Sequence, residues 1–186
     1  MQLETTGFNG LYIIKPRVFN DKRGYFFESY NQRELTKNGL VFQSLQDNES
    51  FSQGNVVRGL HYQLNPKAQA KLIRVIKGQI RDVVLDLRKG SPTYGKWKAF
   101  DLDSESKHQL FIPRGFAHGY SVFSDEAIIL YKCDNFYSPD HERGIALNDT
   151  ALSIDWGIDI KKAVISEKDT KNPPFAEADH NFEYEL

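Results

Sequence analysis

The sequence predicts an all-β protein, an antiparallel double-sheet jelly roll with a few short helices. Short segments rich in Val, Ile, Tyr and Phe recur along most of its 186 residues, and 13% of the residues are aromatic. Each segment is bounded by Gly, Pro, Asn, Asp or Ser, which are typical of turns. The segments follow one another as in sandwiches and barrels, not as in folds that alternate strands with helices.

Ten segments have the length and composition of strands. They are residues 10–18, 25–30, 55–63, 71–76, 79–87, 96–102, 108–112, 119–123, 127–133 and 145–147. In one of them, Val83, Leu85 and Leu87 share one face of the strand. Asp82 and Asp86 share the opposite face, which is the period of two that a strand requires.

Helical patterns are brief. Residues 31–38 predict a short helix that Gly39 closes, and residues 160–169 contain the other helical stretch. From residue 172 onward the chain is acidic and interrupted by prolines, which is typical of an extension. We therefore predict a single jelly-roll domain over residues 1–174, followed by a C-terminal tail over residues 175–186.

Composition excludes several classes of function. The 24 basic and 25 acidic residues give a net charge of −1, without the positive charge typical of proteins that bind nucleic acids or anionic membranes. The lone Cys133 excludes an internal disulfide framework and a cysteine zinc cluster. No apolar run is long enough to cross a bilayer and the N-terminus has no signal-peptide pattern, so we predict a cytoplasmic location.

Two residues on predicted strands are candidates for catalysis. His61 lies in the middle of a strand, where a histidine is either satisfied by backbone groups or available as a base near neutral pH. Lys71 has the same strand parity as Ile73 and Val75, so an inward face for these two residues turns the lysine inward as well. A lysine on an apolar face is costly unless it is paired or serves a ligand.

A turn further along the chain bears on metal binding. Pro113, Gly115 and His118 form the pattern Pro-x-Gly-x-x-His, which resembles the second sequence motif of the cupin superfamily. Metal-binding cupins also carry a His-x-His pair, and none of the five histidines belongs to one. A transition-metal centre of that kind lacks ligands. We therefore predict no metal and assign His118 to a proton network or to substrate binding.

Three further polar residues allow both a structural and a functional interpretation. Tyr131 shares a strand face with apolar neighbours, so it is either a core tyrosine or a general acid. Asp169 is an ordinary polar residue by pattern, and its functional role would be to orient a histidine. Arg23 lies in a predicted turn, where it is either solvated or clamps a diphosphate together with Arg58.

Seven short motifs follow one another between residues 10 and 174. They are RGLHYQ at 58–63, KLIRV at 71–75, DLR at 86–88, SPTYG at 91–95, IP at 112–113 with GFAHG at 115–119, YK at 131–132 and KD at 168–169. Together these motifs resemble the dTDP-4-dehydrorhamnose 3,5-epimerase family. The resemblance implies a metal-free, cofactor-free jelly roll of the cupin type that works as a homodimer.

The resemblance also implies a reaction and a set of residue roles. The substrate would be dTDP-4-dehydro-6-deoxy-D-glucose and the product dTDP-4-dehydro-L-rhamnose, formed by removal and return of protons at C3 and C5 through enolate intermediates. In this interpretation His61 is the base that Asp169 orients. Tyr131 is the acid, and Lys71 supports the enolate. The substrate contacts that the family implies fall on Arg23, Glu28, Gln46, Asp47, Asn48, Arg58, His118, Glu142 and Lys168.

Three alternatives stay open at this point. One is an enzyme that inverts a single centre on a related dTDP-sugar, and another is a ketoisomerase on the same fold. The third is a non-catalytic cupin that binds a sugar nucleotide. A metal-dependent dioxygenase is disfavoured because the ligands are missing. The epimerase reaction needs no redox cofactor, since its substrate and product are isomers.

Overall fold

A computed structural model describes residues 1–184 and confirms the all-β prediction. The strands in this part of the chain are β1 Gln2–Thr5, β2 Tyr12–Lys15, β3 Phe19–Asp21, β4 Gly24–Phe26, β5 Gln46–Gln53, β6 Val57–Gln63, β7 Lys71–Lys77, β8 Gln79–Asp86, β9 Trp97–Asp103, β10 Gln109–Ile112, β11 Phe116–Val122, β12 Glu126–Cys133 and β13 Glu142–Gly144. The α-helix, α1, is Gln32–Lys37. Short 3-10 helices lie at Pro139–His141, Ile160–Lys162, Asp169–Lys171 and Phe175–Glu177.

The strands form two facing antiparallel sheets. One sheet has six strands in the order β1-β2-β10-β7-β12-β5, and the other has five in the order β13-β6-β11-β8-β9. Strands β3 and β4 form a separate hairpin. Of the helices that the structure describes, none has the length and apolar character needed to cross a membrane.

Apolar side chains fill three layers around these sheets. The layer between the two sheets contains Ile73 of β7 and Val84 of β8. A second layer lies on the outer face of the five-stranded sheet, where the segment after β13 packs through Trp156. The third covers one end of the outer face of the six-stranded sheet, where Leu35 of α1 packs with Leu72. Each sheet is therefore covered at least in part on both of its faces. This explains why the apolar side chains on both sides of the strands can be buried.

The helix prediction is confirmed, whereas two other local predictions are wrong. The Asn31 side chain accepts a hydrogen bond from the Glu34 amide and caps α1. The predicted strand at 145–147 is absent, because the Ile145 and Ala146 amides donate to Leu60 and Pro173 in a loop that follows β13. The helical stretch predicted at 160–169 is instead a pair of short 3-10 helices.

One long strand, β5, is missing from the sequence prediction. Its sequence, QDNESFSQ, contains one apolar residue, so it gives no hydrophobic alternation. The strand nevertheless pairs along its whole length with β12 at the edge of the six-stranded sheet. Tertiary pairing with a strongly apolar neighbour therefore determines this strand, against its own composition.

The C-terminal segment packs against the body of the protein. Phe182 is buried in the apolar layer outside the five-stranded sheet. The Lys89 amide donates to the Phe182 carbonyl, and the Tyr184 amide donates to the Lys89 carbonyl, both at 2.9 Å. Residues 185 and 186 of the predicted tail lie outside the described residues. The division into a domain over 1–174 and a tail over 175–186 stays a prediction.

Candidate active site

A cavity of about 470 Å³ opens between the two sheets. Strands of the five-stranded sheet contribute Arg58, His61 and His118 to its wall, and the facing sheet contributes Lys71 and Tyr131. The segment that leads into the 3-10 helix at 169–171 closes one side. Residues far apart in sequence thus meet around one space, large enough for a sugar ring.

A close approach of two glycines sets the position of the histidines on the five-stranded sheet. A Cβ on Gly59 would lie 2.5 Å from the Cα of Gly119, and Gly59 has a φ of +119°. Beyond this point the register between β6 and β11 shifts, and His61 and His118 become directly opposite partners. The RGLH and AHG motifs therefore place two imidazoles side by side on the inner face.

His61 is held by a carboxylate from a distant segment. Its Nε2 lies 2.6 Å from Oδ1 of Asp169, while Oδ2 of Asp169 accepts a hydrogen bond from the Gly59 amide at 3.3 Å. Burial disfavours the Asp169 carboxylate, but the hydrogen bonds from His61 and Gly59 outweigh it and hold the pKa of Asp169 below its ordinary value. An ionised Asp169 therefore fixes the orientation of His61.

Lys71 and Tyr131 lie on the facing sheet. Lys71 points inward with Ile73, as the alternation predicts, and its Nζ lies 6.0 Å from the centroid of the Tyr131 ring. Burial lowers the pKa of Lys71 and raises that of Tyr131. The phenol therefore keeps its proton at neutral pH and can act as a donor.

The sequence analysis missed a second histidine–carboxylate pair. Nε2 of His118 lies 2.7 Å from Oδ2 of Asp82, which is fully buried on the inner face of β8. Burial raises the pKa of Asp82 and lowers that of His118. A signal was present in the sequence, since Asp82 interrupts the apolar face that Ile80 and Val84 continue.

Six of the nine predicted substrate contacts lie at the cavity or beside it, and one of them is His118 in the cavity wall. Lys168 reaches the rim, where its Nζ forms an ion pair of 2.5 Å with Glu142. Gln46 and Asn48 line an adjoining space of about 310 Å³ together with Glu142. The Arg58 guanidinium donates to the Phe51 carbonyl at 3.1 Å. Two basic side chains at one rim favour an anionic group of the substrate.

Three predicted contacts lie away from this cavity. Arg23 sits in the turn between β3 and β4, with its side chain 91% exposed and paired with Asp21 at 2.5 Å. Glu28 accepts a hydrogen bond from the Asn31 side chain on the surface. Asp47 pairs with Lys132 at 2.7 Å. Its neighbours along β5 line the adjoining space, so strand alternation turns Asp47 to the opposite face.

Within residues 1–184, no three histidine, cysteine or acidic side chains gather as a metal site would require. The cavity instead combines an oriented histidine, a half-buried lysine and a protonated tyrosine. Such a set suits the transfer of protons to and from a bound molecule. The fold and the cavity thus define a protein of the cupin type whose cavity is suited to acid–base chemistry.

Comparison with known proteins identifies the family. A family model described as dTDP-4-dehydrorhamnose 3,5-epimerase matches residues 5–177. A protein of that name from Shigella flexneri is 45% identical over 181 residues, which cover 97% of this chain and 99% of that protein. The chain belongs to the dTDP-4-dehydrorhamnose 3,5-epimerase family and is therefore an isomerase.

Solved structures agree with this assignment. The crystal structure of dTDP-4-dehydrorhamnose 3,5-epimerase from Elizabethkingia anophelis NUHP1 has a TM-score of 0.90 at 46% identity and covers 95% of this chain and 97% of that one. A dTDP-6-deoxy-D-glucose-3,5-epimerase from Legionella pneumophila Philadelphia 1, in complex with dTDP-4-keto-L-rhamnose, has a TM-score of 0.91 at 39% identity. The match covers 96% of this chain and 94% of that one.

Proposed function

We propose that this chain converts dTDP-4-dehydro-6-deoxy-D-glucose to dTDP-4-dehydro-L-rhamnose by inversion at C3 and C5, as a step of dTDP-L-rhamnose biosynthesis. One observation carries the proposal. His61 and Tyr131 line a single cavity from opposite sheets, with Lys71 beside Tyr131 on the six-stranded sheet. Inversion of a carbon requires that a proton leave one face of the sugar ring and return to the other, and this arrangement suits that requirement.

The proton transfers follow from the contacts of these side chains. Because Nε2 of His61 faces Asp169, a neutral imidazole donates from Nε2 and keeps Nδ1 free as the base. Nδ1 takes the proton from the carbon beside the C4 carbonyl, and the electron pair moves onto the C4 oxygen. The Lys71 ammonium stabilises that negative charge. Tyr131 then gives its phenolic proton to the carbon from the other face as the C4 carbonyl reforms. Exchange with solvent removes the proton from His61 and returns one to Tyr131 before the second centre reacts.

The nucleotide would be bound at the rim. Arg58 and Lys168 are the basic side chains there, and guanidinium and ammonium groups bind phosphate oxygens well. The diphosphate is remote from C3 and C5, so its binding holds the sugar in place without taking part in the chemistry. A nucleotide-sugar substrate also fits the cytoplasmic location that the sequence predicts.

We infer that the enzyme is a homodimer. The β3–β4 hairpin exposes large apolar side chains, with Phe26 66% exposed and Tyr25 58% exposed. An isolated two-stranded hairpin is marginally stable in water. We infer that a second copy of the chain packs against it and buries these apolar side chains. Arg23 at its turn would then reach the cavity of the neighbouring copy, which explains why it lies away from its own.

Mixed dimers test this arrangement. Arg23→Ala and His61→Ala variants, each inactive alone, would be mixed and allowed to exchange subunits. If Arg23 serves the partner's cavity, a mixed dimer has one site that lacks both groups and one intact site, so part of the activity returns. Light scattering would give the mass of the wild-type assembly. A monomeric mass, or no return of activity in verified mixed dimers, contradicts the inference.

The reaction itself is tested by incubation with dTDP-4-dehydro-6-deoxy-D-glucose in deuterated water. NMR should detect deuterium at both C3 and C5 and inversion at both centres. Label and inversion at one centre only would identify a single-centre epimerase, and a moved carbonyl would identify a ketoisomerase. A Tyr131→Phe variant should still exchange deuterium while it forms far less inverted product. Normal product formation by this variant would remove Tyr131 from the role of acid.

A further inference from the structure

Asp82 has surroundings that the fold alone does not explain. It lies on the inner face of β8, fully buried, between Ile80 and Val84 of the central apolar layer. A carboxylate in such a place is costly, and an apolar side chain of similar size would often serve stability as well or better. The position therefore indicates a task for the charge.

Only one of the two carboxylate oxygens of Asp82 has a hydrogen-bond partner among residues 1–184. Oδ2 lies 2.7 Å from Nε2 of His118. Oδ1 is buried and has no hydrogen-bond partner within residues 1–184. Unpaired buried acceptors are rare in native proteins because each loses its bonds to water. The neighbouring Asp86 shows the contrast, since Arg88, Ser91 and Thr93 donate to its two oxygens.

Asp82 reaches the cavity through His118, and Lys71 lines the same cavity from the facing sheet. The Lys71 ammonium has no hydrogen bond or ion pair within residues 1–184 and lies over the Tyr131 ring, yet it must be charged to stabilise an enolate. Six titratable groups surround it from β6, β8, β11, β12 and β13. They are His61, Asp82, His118, Tyr131, Cys133 and Glu142.

Among these groups, Asp82 is the carboxyl group that no lysine or arginine pairs with in residues 1–184, and its partner there is His118. Glu142 is already paired with Lys168 at 2.5 Å and accepts a hydrogen bond from Tyr137. Burial raises the pKa of the Cys133 thiol, which keeps it neutral. The charge of Asp82 opposes the loss of the Lys71 proton that burial favours.

We propose that Asp82 is a positioning residue that keeps Lys71 as the ammonium and holds His118 as the neutral tautomer with its proton on Nε2. This proposal rests on the proposed function for its catalytic consequence. Its effect on the charge of Lys71 is independent of the substrate. Asp82 touches no reacting atom, and it acts through the two side chains that line the cavity.

The direct test is the titration of Lys71. Acetic anhydride acetylates neutral amines, so the pH at half-modification of the Lys71 peptide, followed by mass spectrometry, reports the charge of that lysine. In an Asp82→Asn variant this pH should fall by about one unit or more, because an opposite charge nearby shifts a pKa by that amount. The exposed lysines of the same molecule serve as internal references. An unchanged titration of Lys71 overturns the proposal.

Activity gives the second readout. In Asp82→Asn, kcat should fall about tenfold with little change in KM, and the limb of the pH profile where activity is lost as pH rises should move to lower pH. The matched control is Asp86→Asn, a buried aspartate on the same strand face whose partners lie outside the cavity. That control should lower the melting temperature and leave the pH profile in place. The same shift in both variants would mean a merely structural role.

A second substitution guards against a failure to fold. Asp82→Val places a β-branched apolar side chain between Ile80 and Val84 and should fold, since it removes a buried charge from an apolar layer. Its Lys71 titration should shift as in Asp82→Asn. Suppose that the titration of Lys71 moves to lower pH in the Asp82 variants while the wild-type protein fails to invert the sugar. The proposed function is then wrong and the assignment of Asp82 stands. If the wild type inverts the sugar and the titration of Lys71 is unchanged in the variants, the proposed function stands and the assignment of Asp82 is wrong.

Discussion

The cavity holds two histidine–aspartate pairs of nearly equal length in very different surroundings. The pair of His61 and Asp169 joins a histidine that is 32% exposed to a carboxylate carried by a 3-10 helix near the C-terminus. The pair of His118 and Asp82 is 11% and 0% exposed, and both residues lie on strands. Both distances are 2.6–2.7 Å. The contacts around each pair, and not its length, indicate the role.

The difference lies in the second oxygen of each carboxylate. In Asp169 that oxygen accepts a hydrogen bond from the Gly59 amide, so the carboxylate is fully engaged in orienting His61. In Asp82 it has no hydrogen-bond partner among residues 1–184, and its charge acts on Lys71. An exposed histidine with a satisfied carboxylate suits direct proton transfer. A buried histidine with a half-satisfied carboxylate suits electrostatic support of a neighbouring cation.

The largest expected effect is the loss of the base. His61→Ala should lower kcat by about 10³-fold or more, since general acid–base groups contribute on the order of 10²–10⁴-fold. Deuterium exchange into the sugar should fall in parallel. The control is His108→Ala, a histidine outside the cavity lining, which should leave turnover unchanged. Near-normal turnover by His61→Ala would contradict the assignment of the exposed pair to proton transfer.

The second-largest effect is expected from removal of the Lys71 ammonium. Lys71→Ala should lower kcat by about 10²–10³-fold, as the loss of one oxyanion donor does, while affinity for dTDP changes little. Turnover by NMR and dTDP affinity by calorimetry separate the two effects. Lys67→Ala, at an exposed lysine outside the cavity, provides the comparison. A defect confined to nucleotide binding would argue against enolate support by Lys71.

A smaller loss is expected from the carboxylate of the exposed pair. Asp169→Asn keeps the shape of the side chain and removes the charge that orients His61, so kcat should fall by about 10²-fold with KM nearly constant. This loss should exceed that of Asp82→Asn, because Asp169 acts on the base itself. Steady-state kinetics of the two variants under the same conditions makes the comparison. A greater loss from Asp82→Asn would reverse the roles given to the two pairs.

The smallest effect concerns stability in acid. The pKa of Asp169 lies below its ordinary value in the folded protein, so its ionisation stabilises the fold above the pKa of the unfolded chain, about 3.9, and this contribution is lost as pH falls through the folded value. The wild type should therefore melt a few degrees above Asp169→Asn at pH 7, and the gap should close as pH falls below the pKa of the unfolded chain and through that of the folded protein. Calorimetry across this pH range checks it, and a gap that grows in acid would contradict the sign.

Local sequence patterns were sufficient to predict the parts of the site that lie within single strands. The alternation around Lys71 turns it inward with Ile73, and the motif around His61 is enough to mark that residue as a candidate base. The jelly roll follows from many short apolar segments between turn residues. The cupin-like turn that carries His118 can likewise be predicted from its local sequence pattern. These features are local, so the period of two and the turn residues predict them without reference to the rest of the chain.

The partners of these residues depend on tertiary structure. Asp169 meets His61 across 108 residues, and no local pattern brings a 3-10 helix near the C-terminus to a strand of the sheet. Asp82 lies on the inner face of its strand among residues of both sheets, a setting that its own segment does not specify. Strand β5 gives no strand signal because its inward residues are polar where they line the pocket, and only its pairing with β12 orders it. Alternation specifies which face a side chain occupies, whereas the opposing residues depend on how the two sheets pack.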